Sequence, residues 1–207
     1  MLTNVLLVGA GGHAKVVIDA IKVSSPDCLI EIVDNNKDKV GQNIIDDIFV
    51  SDYNEIEQLS NQVFVSIGDC RLRKLVCNQL QNSGKKLISV YHKEASISFY
   101  SRIDDGVFIA AKSIVAASTV IHCSVILNHG SIVDHDCEIG EYSHIGPNVT
   151  LGGGVTVGKN TFIGSGAIIL PMVKIGNNVV IGAGSVIISN IPDNQIFVGV
   201  PGRRIEK

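Results

Sequence analysis

A glycine-rich loop near the start of the chain has the composition of a phosphate-binding turn. Gly9, Gly11 and Ala14 follow the apolar run 5–8 and match the G-x-G-x-x-A fingerprint of dinucleotide-binding proteins. Glycines there let backbone N–H groups approach a phosphate at a helix N-terminus, where the helix dipole favours negative charge. Asp34 stands about 20 residues on, where a ribose-binding acid is expected. The loop predicts a ligand with a diphosphate, either NAD or another nucleotide.

A histidine between two acids is the second group with chemical potential. His135 lies two residues past Val133 and is flanked by Asp134 and Asp136. An imidazole with a pKa near about 6.5 can accept a proton at neutral pH, and a neighbouring carboxylate raises its basicity. Of the six histidines in the chain, we interpret His135 as the best candidate for a general base. The alternative interpretation is a solvent-exposed polar turn.

Composition and charge exclude several classes of function. The 207 residues include 17 Lys and Arg against 20 Asp and Glu, so the chain lacks the basic surface expected of nucleic-acid or anionic-membrane binding. Its apolar runs are far shorter than the roughly 20 residues of a membrane span. The start of the chain carries no positively charged leader, and we expect a cytoplasmic protein. The five cysteines include no C-x-x-C pair and are interpreted as reduced core thiols.

The first 92 residues alternate short β-branched runs with helical patterns. The expected strands are 5–8, 29–33, 63–67 and 87–90, and the expected helices are 14–23, 52–59 and 71–82. This order predicts a small Rossmann-like α/β domain over 1–92 with a parallel sheet. It is too short for a complete dinucleotide-binding domain, which has two such halves.

From Ile97 onward every sixth residue is aliphatic. The positions are Ile97, Ile103, Ile109, Val115, Ile121, Leu127, Val133, Ile139, Ile145, Leu151, Val157, Ile163, Ile169, Ile175, Ile181 and Ile187. This period predicts a triangular β-solenoid over 93–207, in which the aliphatic fills the axis and the Gly or Asn after it takes the turn. Three hexapeptides form one coil, so residues 18 apart stack about 4.8 Å from each other. Because flat solenoid faces pack side by side, we expect an oligomer.

Four motifs together resemble those of a known enzyme family. They are Val8-Gly9-Ala10-Gly11-Gly12-His13, Val133-Asp134-His135-Asp136-Cys137-Glu138-Ile139-Gly140, His144-Ile145-Gly146 and Phe197-Val198-Gly199-Val200-Pro201. Nearly the whole chain is similar to the bacterial sugar acetyltransferases, which include nucleotide-sugar N-acetyltransferases and sialic-acid O-acetyltransferases. The resemblance implies a C-terminal left-handed parallel β-helix of hexapeptide repeats, acetyl-CoA as acetyl donor, no metal, and a homotrimer.

The resemblance also implies roles for individual residues. His135 is the general base and Asp136, where other members have Glu, raises its basicity. The nucleotide sugar contacts Gly11, Gly12, His13, Asp34, Asn35, Asn36 and Gly68. Acetyl-CoA lies in the groove between neighbouring solenoids and contacts His144, Gly153, Ser165 and Ala183. A neutral His144 N–H polarises the thioester carbonyl. From its position after an axial aliphatic, Asn128 is a candidate for a further polar partner, with an ordinary turn residue as the alternative.

These implications favour an acetyl-CoA-dependent N-acetyltransferase that acts on the amine of a UDP-linked 4-amino-4,6-dideoxy sugar in surface-glycan biosynthesis. O-acetylation of sialic acid or a related nonulosonic acid would use the same machinery. A zinc lyase on His122, His129 and His135 is a third interpretation, by similarity to β-helix carbonic anhydrases. A non-catalytic nucleotide-sugar sensor is the fourth. Acetylation of a Cys137 thiolate is a rival mechanism to direct transfer, and direct transfer is preferred.

Overall fold

A six-stranded sheet forms the first part of the computed structural model, which describes residues 2–206. Its strands are β1 (Asn4–Val8), β2 (Leu29–Asp34), β3 (Asn43–Ile45), β4 (Ile48–Asp52), β5 (Gln62–Val65) and β6 (Lys86–Leu87). They lie in the order β3-β4-β2-β1-β5-β6, and every pair is parallel except β3–β4. The predicted parallel α/β sheet is therefore confirmed, with the apolar runs of β1 and β5 at its buried centre.

Two α-helices pack on this sheet, α1 (Gly12–Ser24) and α2 (Cys70–Asn82). Each follows a parallel strand, so both helices begin at the carboxyl edge of the sheet. The third predicted helix, 52–59, is instead a 3-10 helix over Tyr53–Gln58, and another spans Lys37–Lys39. In the 3-10 helix Tyr53–Gln58 only Ile56 is buried, so no apolar stripe supports an α-helix there. Within residues 2–206, no helix is long and apolar enough to cross a bilayer.

The segment 87–90, expected to be one strand, is divided between the two parts of the molecule. Leu87 ends β6 and pairs with β5, whereas Val90 begins the solenoid and pairs with Phe108. The sheet and the solenoid are thus joined by two residues. The short connection places the α/β unit directly against the first solenoid face.

The solenoid has three faces of stacked two-residue strands. The first face holds Val90–Tyr91, Phe108–Ile109, Ile126–Leu127, His144–Ile145, Phe162–Ile163 and Val180–Ile181, extended by Ile196–Val198 and an antiparallel Arg203–Ile205. The second holds Ser96–Ile97, Ile114–Val115, Ile132–Val133, Thr150–Leu151, Ile168–Ile169 and Val186–Ile187. The third holds Arg102–Ile103, Val120–Ile121, Glu138–Ile139, Thr156–Val157 and Lys174–Ile175. Partners within a face are 18 residues apart, as predicted, until the last strands, where Ile196 pairs with Val180 at a spacing of 16.

The sixth-residue aliphatics fill the solenoid axis. Those from Ile109 to Ile187 are almost completely buried in one cluster, against which Ile97 and Ile103 pack. Buried hydroxyls between them bond the corners of the next coil: Thr119 Oγ1, for example, donates to Asp134 O at 2.8 Å. The predicted core is therefore confirmed, and the hydroxyls of Thr119, Ser143 and Thr161 are satisfied by the backbone.

The prediction that the glycine after each aliphatic takes the turn is wrong. The left-handed residue of each corner stands two positions later, as at Asp136 with a φ of 59°. The glycine itself is needed for close approach, because a Cβ on Gly140 would lie 2.7 Å from the backbone of Gly158 in the next coil. The repeat thus places an aspartate in the left-handed conformation directly after His135.

Candidate active site

A cavity of about 680 Å³ opens at the carboxyl edge of the α/β sheet. Its lining includes six of the seven residues predicted to contact a nucleotide sugar: Gly11, Gly12, His13, Asp34, Asn35 and Gly68. The seventh, Asn36, caps the 3-10 helix Lys37–Lys39 and is not part of the lining. Leu72, Leu75 and Tyr53 form an apolar wall. A cavity with one polar loop and one apolar wall suits a ligand with a phosphate and a ring.

The glycines of the loop have different physical reasons for being glycine. Gly9 has a φ of +104°, and a Cβ there would lie 2.6 Å from Ile67 Cγ1, so the fold itself requires glycine. Gly11 and Gly12 have no positive φ, and a Cβ on either would meet nothing within 4 Å. Because folding does not require glycine at Gly11 and Gly12, their missing side chains leave room for a ligand at the start of α1.

Asp34 braces the glycine loop. Its carboxylate accepts hydrogen bonds from Ala10 N at 2.7 Å, Lys39 Nζ at 2.8 Å and Asn36 N at 2.8 Å. Partial burial opposes ionisation of Asp34, but these donors hold its pKa below the ordinary value. These bonds show that Asp34 shapes the loop, and the residue also lines the cavity.

His144 lies at the junction of the cavity and the first solenoid face, and its tautomer follows from its neighbours. Asn128 Oδ1 accepts from His129 N at 2.9 Å, which turns Asn128 Nδ2 toward His144 Nε2 at 3.2 Å. His144 Nδ1 therefore carries the proton and donates to Gly68 O at 3.1 Å. Both ring nitrogens are thus occupied within the chain. The single N–H of the neutral ring points at Gly68, so polarisation of a thioester by His144 would require this contact to open.

Burial keeps two histidines of this region neutral. Desolvation, with the nearby Arg73 charge, lowers the pKa of His144 to about 4. Desolvation and the neighbouring His144 and Arg73 lower the pKa of His13 to about 3. His13 packs its ring on Phe108 at 5.2 Å, and its Nε2 is buried without a hydrogen-bond partner among residues 2–206. A neutral His13 can donate a hydrogen bond to a hydroxyl of a bound ligand or accept one from it.

His135 occupies a different edge of the solenoid, between the second and third faces. Its Nδ1 lies 2.8 Å from Asp136 Oδ2, and both side chains are exposed. The hydrogen bond that His135 donates to Asp136 and the charge of Asp134 raise the pKa of His135 above its ordinary value. The ring lies over Gly153 of the next coil, where a Cβ would be 2.6 Å from His135 Nε2. Any side chain at Gly153 would displace the imidazole.

The residues predicted to contact acetyl-CoA are divided between two edges. Gly153 stacks on His135, with Gly154 N donating to His135 O at 2.9 Å. Ser165 and Ala183 stack on the edge between the first and second faces, where Gly184 N donates to Ser165 O at 2.8 Å. His144 belongs to the first face. The structure therefore brings His135, Asp136 and Gly153 together, but places them away from the glycine loop, His144, Ser165 and Ala183 of the same chain.

The metal and thiolate alternatives find little support. His122, His129 and His135 stand on three different edges, and the ring of His122 bonds to Asp104 and Glu138. Across residues 2–206, no group of three His, Cys, Asp or Glu side chains is arranged to hold a metal ion. Burial raises the pKa of Cys137 to about 11, which keeps its thiol protonated at neutral pH.

Sequence reasoning missed one charged residue of this region. Arg73 lies on the buried face of α2 with Cys70, Cys77 and Leu80, and only 1% of it is exposed. The sequence feature that could have indicated this residue is its position at helical spacing within an otherwise apolar stripe. Arg73 contacts Gly68 directly and stands behind His144.

Comparisons with known proteins match both parts of the chain. Residues 4–80 match the PglD N-terminal domain, and residues 118–153 and 154–189 match the bacterial transferase hexapeptide (six repeats). Among curated proteins, none matches the chain in sequence. GDP-perosamine N-acetyltransferase from Caulobacter crescentus, solved as a histidine variant with CoA and GDP-perosamine, is 34% identical, with a TM-score of 0.92 over 100% of this chain and 99% of that one.

Two further solved structures extend the comparison. The acetyltransferase domain of PglB from Neisseria gonorrhoeae FA1090, in complex with acetyl coenzyme A, is 30% identical over 99% of this chain and 100% of that one, with a TM-score of 0.91. WeeI from Acinetobacter baumannii AYE, at 18% identity over 98% of this chain and 100% of that one, shares the fold with a TM-score of 0.65. The chain belongs to the hexapeptide-repeat family of bacterial sugar acetyltransferases, with their left-handed parallel β-helix.

Proposed function

We propose that the protein transfers the acetyl group of acetyl-CoA to the amine of a UDP-linked 4-amino-4,6-dideoxy sugar in surface-glycan biosynthesis. The observation that carries the proposal is the exposed His135–Asp136 pair. Its 2.8 Å contact orients the imidazole and makes it a stronger base for proton transfer. The cavity at Gly11 and Gly12 binds the nucleotide end. The relatives with CoA, acetyl coenzyme A or GDP-perosamine support the two substrate classes.

Direct transfer accounts for the geometry around His135. The sugar amine attacks the thioester carbonyl, His135 Nε2 takes a proton from the nitrogen, and the new C–N bond forms. Asp136 holds Nδ1 and stabilises the imidazolium. The backbone N–H of Gly153, which makes no hydrogen bond within residues 2–206, is available to the developing oxyanion. When the C–S bond breaks, His135 returns the proton to the CoA thiolate.

A homotrimer completes the site. The outward residues of the second face are mostly aliphatic, including Ile114, Ile132 and Ile168, whereas those of the third face include Arg102 and Glu138. The second face is therefore the one suited to burial between copies. Three copies with their second faces inward would bring the His135 edge of each beside the Ser165–Ala183 edge of the next. Acetyl-CoA then lies between copies, in contact with both edges.

Replacement of Gly12 by alanine is expected to preserve the fold and weaken nucleotide-sugar binding. Alanine suits the first turn of α1, so the free energy of unfolding should be unchanged or rise by up to about 1 kcal/mol. The methyl group enters the cavity, and KM for the nucleotide sugar should rise at least about tenfold while KM for acetyl-CoA stays the same. Gly9→Ala is the control and should lower stability instead. A normal sugar KM in Gly12→Ala would contradict the assignment of the cavity.

Replacement of Asp136 by asparagine is expected to lower the pKa of His135, because the hydrogen bond that His135 donates to Asp136 is the largest cause of its elevation. A general base acts when neutral, so the rate rises with pH through the pKa of His135. In Asp136→Asn that rise should move to lower pH, and the plateau should fall because the base is weaker. The pH dependence of kcat/KM for both proteins checks this. An unmoved midpoint would remove Asp136 from the mechanism.

The acceptor is identified by CoA release, followed with a thiol reagent. Parallel reactions contain a UDP-4-amino-4,6-dideoxy sugar, GDP-perosamine, or free sialic acid, each with wild type and His135→Ala. Turnover with the UDP sugar alone, lost in the variant, is the expected result. Turnover with GDP-perosamine would change the nucleotide, turnover with sialic acid would make the protein an O-acetyltransferase, and binding without turnover would support the sensor alternative.

A further inference from the structure

Arg73 is the largest fully buried side chain of the described structure and has no acidic partner there. The guanidinium donates to main-chain carbonyls and to the Sγ of Cys70, and Arg73 is absent from the ion pairs among residues 2–206. A buried cation without a carboxylate is costly to desolvate, and an apolar residue of similar volume would serve packing at lower cost. The residue therefore calls for an explanation beyond packing of α2.

Four of the five carbonyls bound by Arg73 belong to two segments, the cavity loop and the residues before His144. Nη1 donates to Ile67 O at 2.9 Å and Gly68 O at 3.0 Å, in the loop that lines the nucleotide cavity. Nη2 donates to Tyr142 O at 2.6 Å and Ser143 O at 3.2 Å, the two residues immediately before His144. Nε donates to Ser124 O at 2.9 Å in the preceding coil. One rigid, planar group thus joins the cavity loop to the solenoid.

The Gly68 carbonyl connects Arg73 to His144. It accepts from Arg73 Nη1 at 3.0 Å and from His144 Nδ1 at 3.1 Å, which uses both of its lone pairs. This carbonyl and Asn128 together set the tautomer of His144: Gly68 O accepts the proton of Nδ1, and Asn128 Nδ2 donates to Nε2. Without the hydrogen bond from Arg73, the Gly68 peptide could rotate, and His144 Nδ1 would lose its acceptor.

We propose that Arg73 is a positioning residue that orients the Gly68 peptide toward His144 and thereby fixes both the floor of the nucleotide cavity and the tautomer of His144. The activity part of this proposal rests on the proposed function, and the tautomer part does not. The positive charge adds to the effect: after burial, Arg73 is the next cause of the lowered pKa of His144. The imidazole is therefore neutral, with one defined N–H.

The test compares Arg73→Met and Arg73→Lys with a matched control, Cys77→Ala. Cys77 is buried one turn further along α2 and its Sγ lies 3.5 Å from Ser124 Oγ, so its loss weakens the same contact between α2 and the solenoid without touching Gly68. Thermal unfolding establishes that the three variants are folded and ranks their stabilities. Arg73→Lys keeps the charge but lacks the planar fork that reaches both segments.

Two readouts separate positioning from packing. In wild type and Cys77→Ala, ¹⁵N NMR of labelled histidine should show His144 protonated at Nδ1, whereas Arg73→Met should show mixed tautomers or protonation at Nε2. KM for the nucleotide sugar should rise at least about tenfold in both Arg73 variants and stay within about twofold in Cys77→Ala. An unchanged His144 tautomer in Arg73→Met would overturn the proposal.

The two readouts also separate this proposal from the proposed function. If no nucleotide sugar is acetylated by the wild type, the proposed function fails and the NMR result alone decides the role of Arg73. If the wild type is active and all three variants lose activity in proportion to their stability, with His144 unchanged, Arg73 only packs α2 and the proposal is wrong.

Discussion

Replacement of His135 by alanine is expected to lower kcat for acetyl transfer by about 10²- to 10⁴-fold, the usual contribution of a positioned general base. Without the imidazole, the attacking amine has no acceptor for its proton, and neither Asp134 nor Asp136 can substitute, because an ionised carboxylate is a much weaker base. KM for either substrate should change little, since the imidazole acts mainly on the transition state. Steady-state kinetics at saturating acetyl-CoA provides the measurement.

The matched control for this variant is His122→Ala. His122 is also a solenoid corner histidine bonded to carboxylates, Asp104 and Glu138, but it stands on a different edge from His135. His122→Ala should retain nearly full activity. The side chain of His135 is exposed, so His135→Ala should keep its fold, and thermal unfolding checks the same for His122→Ala. If His135→Ala retained a kcat within about threefold of wild type, transfer would proceed without this base and another group would have to take the proton.

The direction in which the rate changes with pH is an independent test of His135 as the base. The pKa of His135 lies above its ordinary value of 6.5, so the wild-type rate should increase across neutral pH as the imidazole loses its proton. The residual activity of His135→Ala should lack this increase. A rate that falls with rising pH over the same range would contradict a neutral imidazole base.

The repeat explains why so much of the solenoid could be predicted from sequence. Each hexapeptide has the same local task, so an aliphatic such as Ile121 or Ile145 must point inward wherever its coil lies along the axis. The position of the left-handed corner residue was not predictable in the same way. It depends on the close approach of successive coils, which requires glycine at Gly140 and moves the turn to Tyr142.

The α/β unit was less predictable because its elements depend on tertiary contacts. β3 and β4 were missed, since they are short and half-polar and are stabilised by pairing of β4 with β2. Arg73 was missed because only the folded chain brings the carbonyls of Gly68 and Ser143 to one guanidinium. The glycine loop was predictable, but the distinction between Gly9 and Gly12 required the backbone angles and the space around each Cβ.

The 18-residue coil already implies that the predicted site residues fall on different edges. His135 and His144 are only nine residues apart, yet half a coil separates them around the solenoid. A second copy resolves this separation, because the edge that carries His135 in one copy can face the edge beside the cavity in the next. The strongest test of this arrangement is complementation between two inactive variants.

Mixed oligomers of His135→Ala and Gly11→Phe are expected to regain about a third of wild-type activity per trimer. Gly11→Phe fills the nucleotide cavity without backbone strain, because Gly11 has no positive φ and open space at its Cβ position. Each variant alone has no intact site. A mixed trimer has three junctions between copies. At only one of them does an intact His135 edge face an intact cavity. This holds whether the trimer contains two copies of one variant or two of the other.

The experiment uses co-expression with two affinity tags, so that tandem purification removes trimers of a single variant. Activity of about a third of wild type supports a trimer with shared sites, whereas about half would indicate a dimer, in which one of two junctions is intact. A mixture of the separately purified variants should remain inactive and excludes contamination. If the site were complete within one chain, the mixed oligomers would be as inactive as their parents, because each chain would still carry its own lesion.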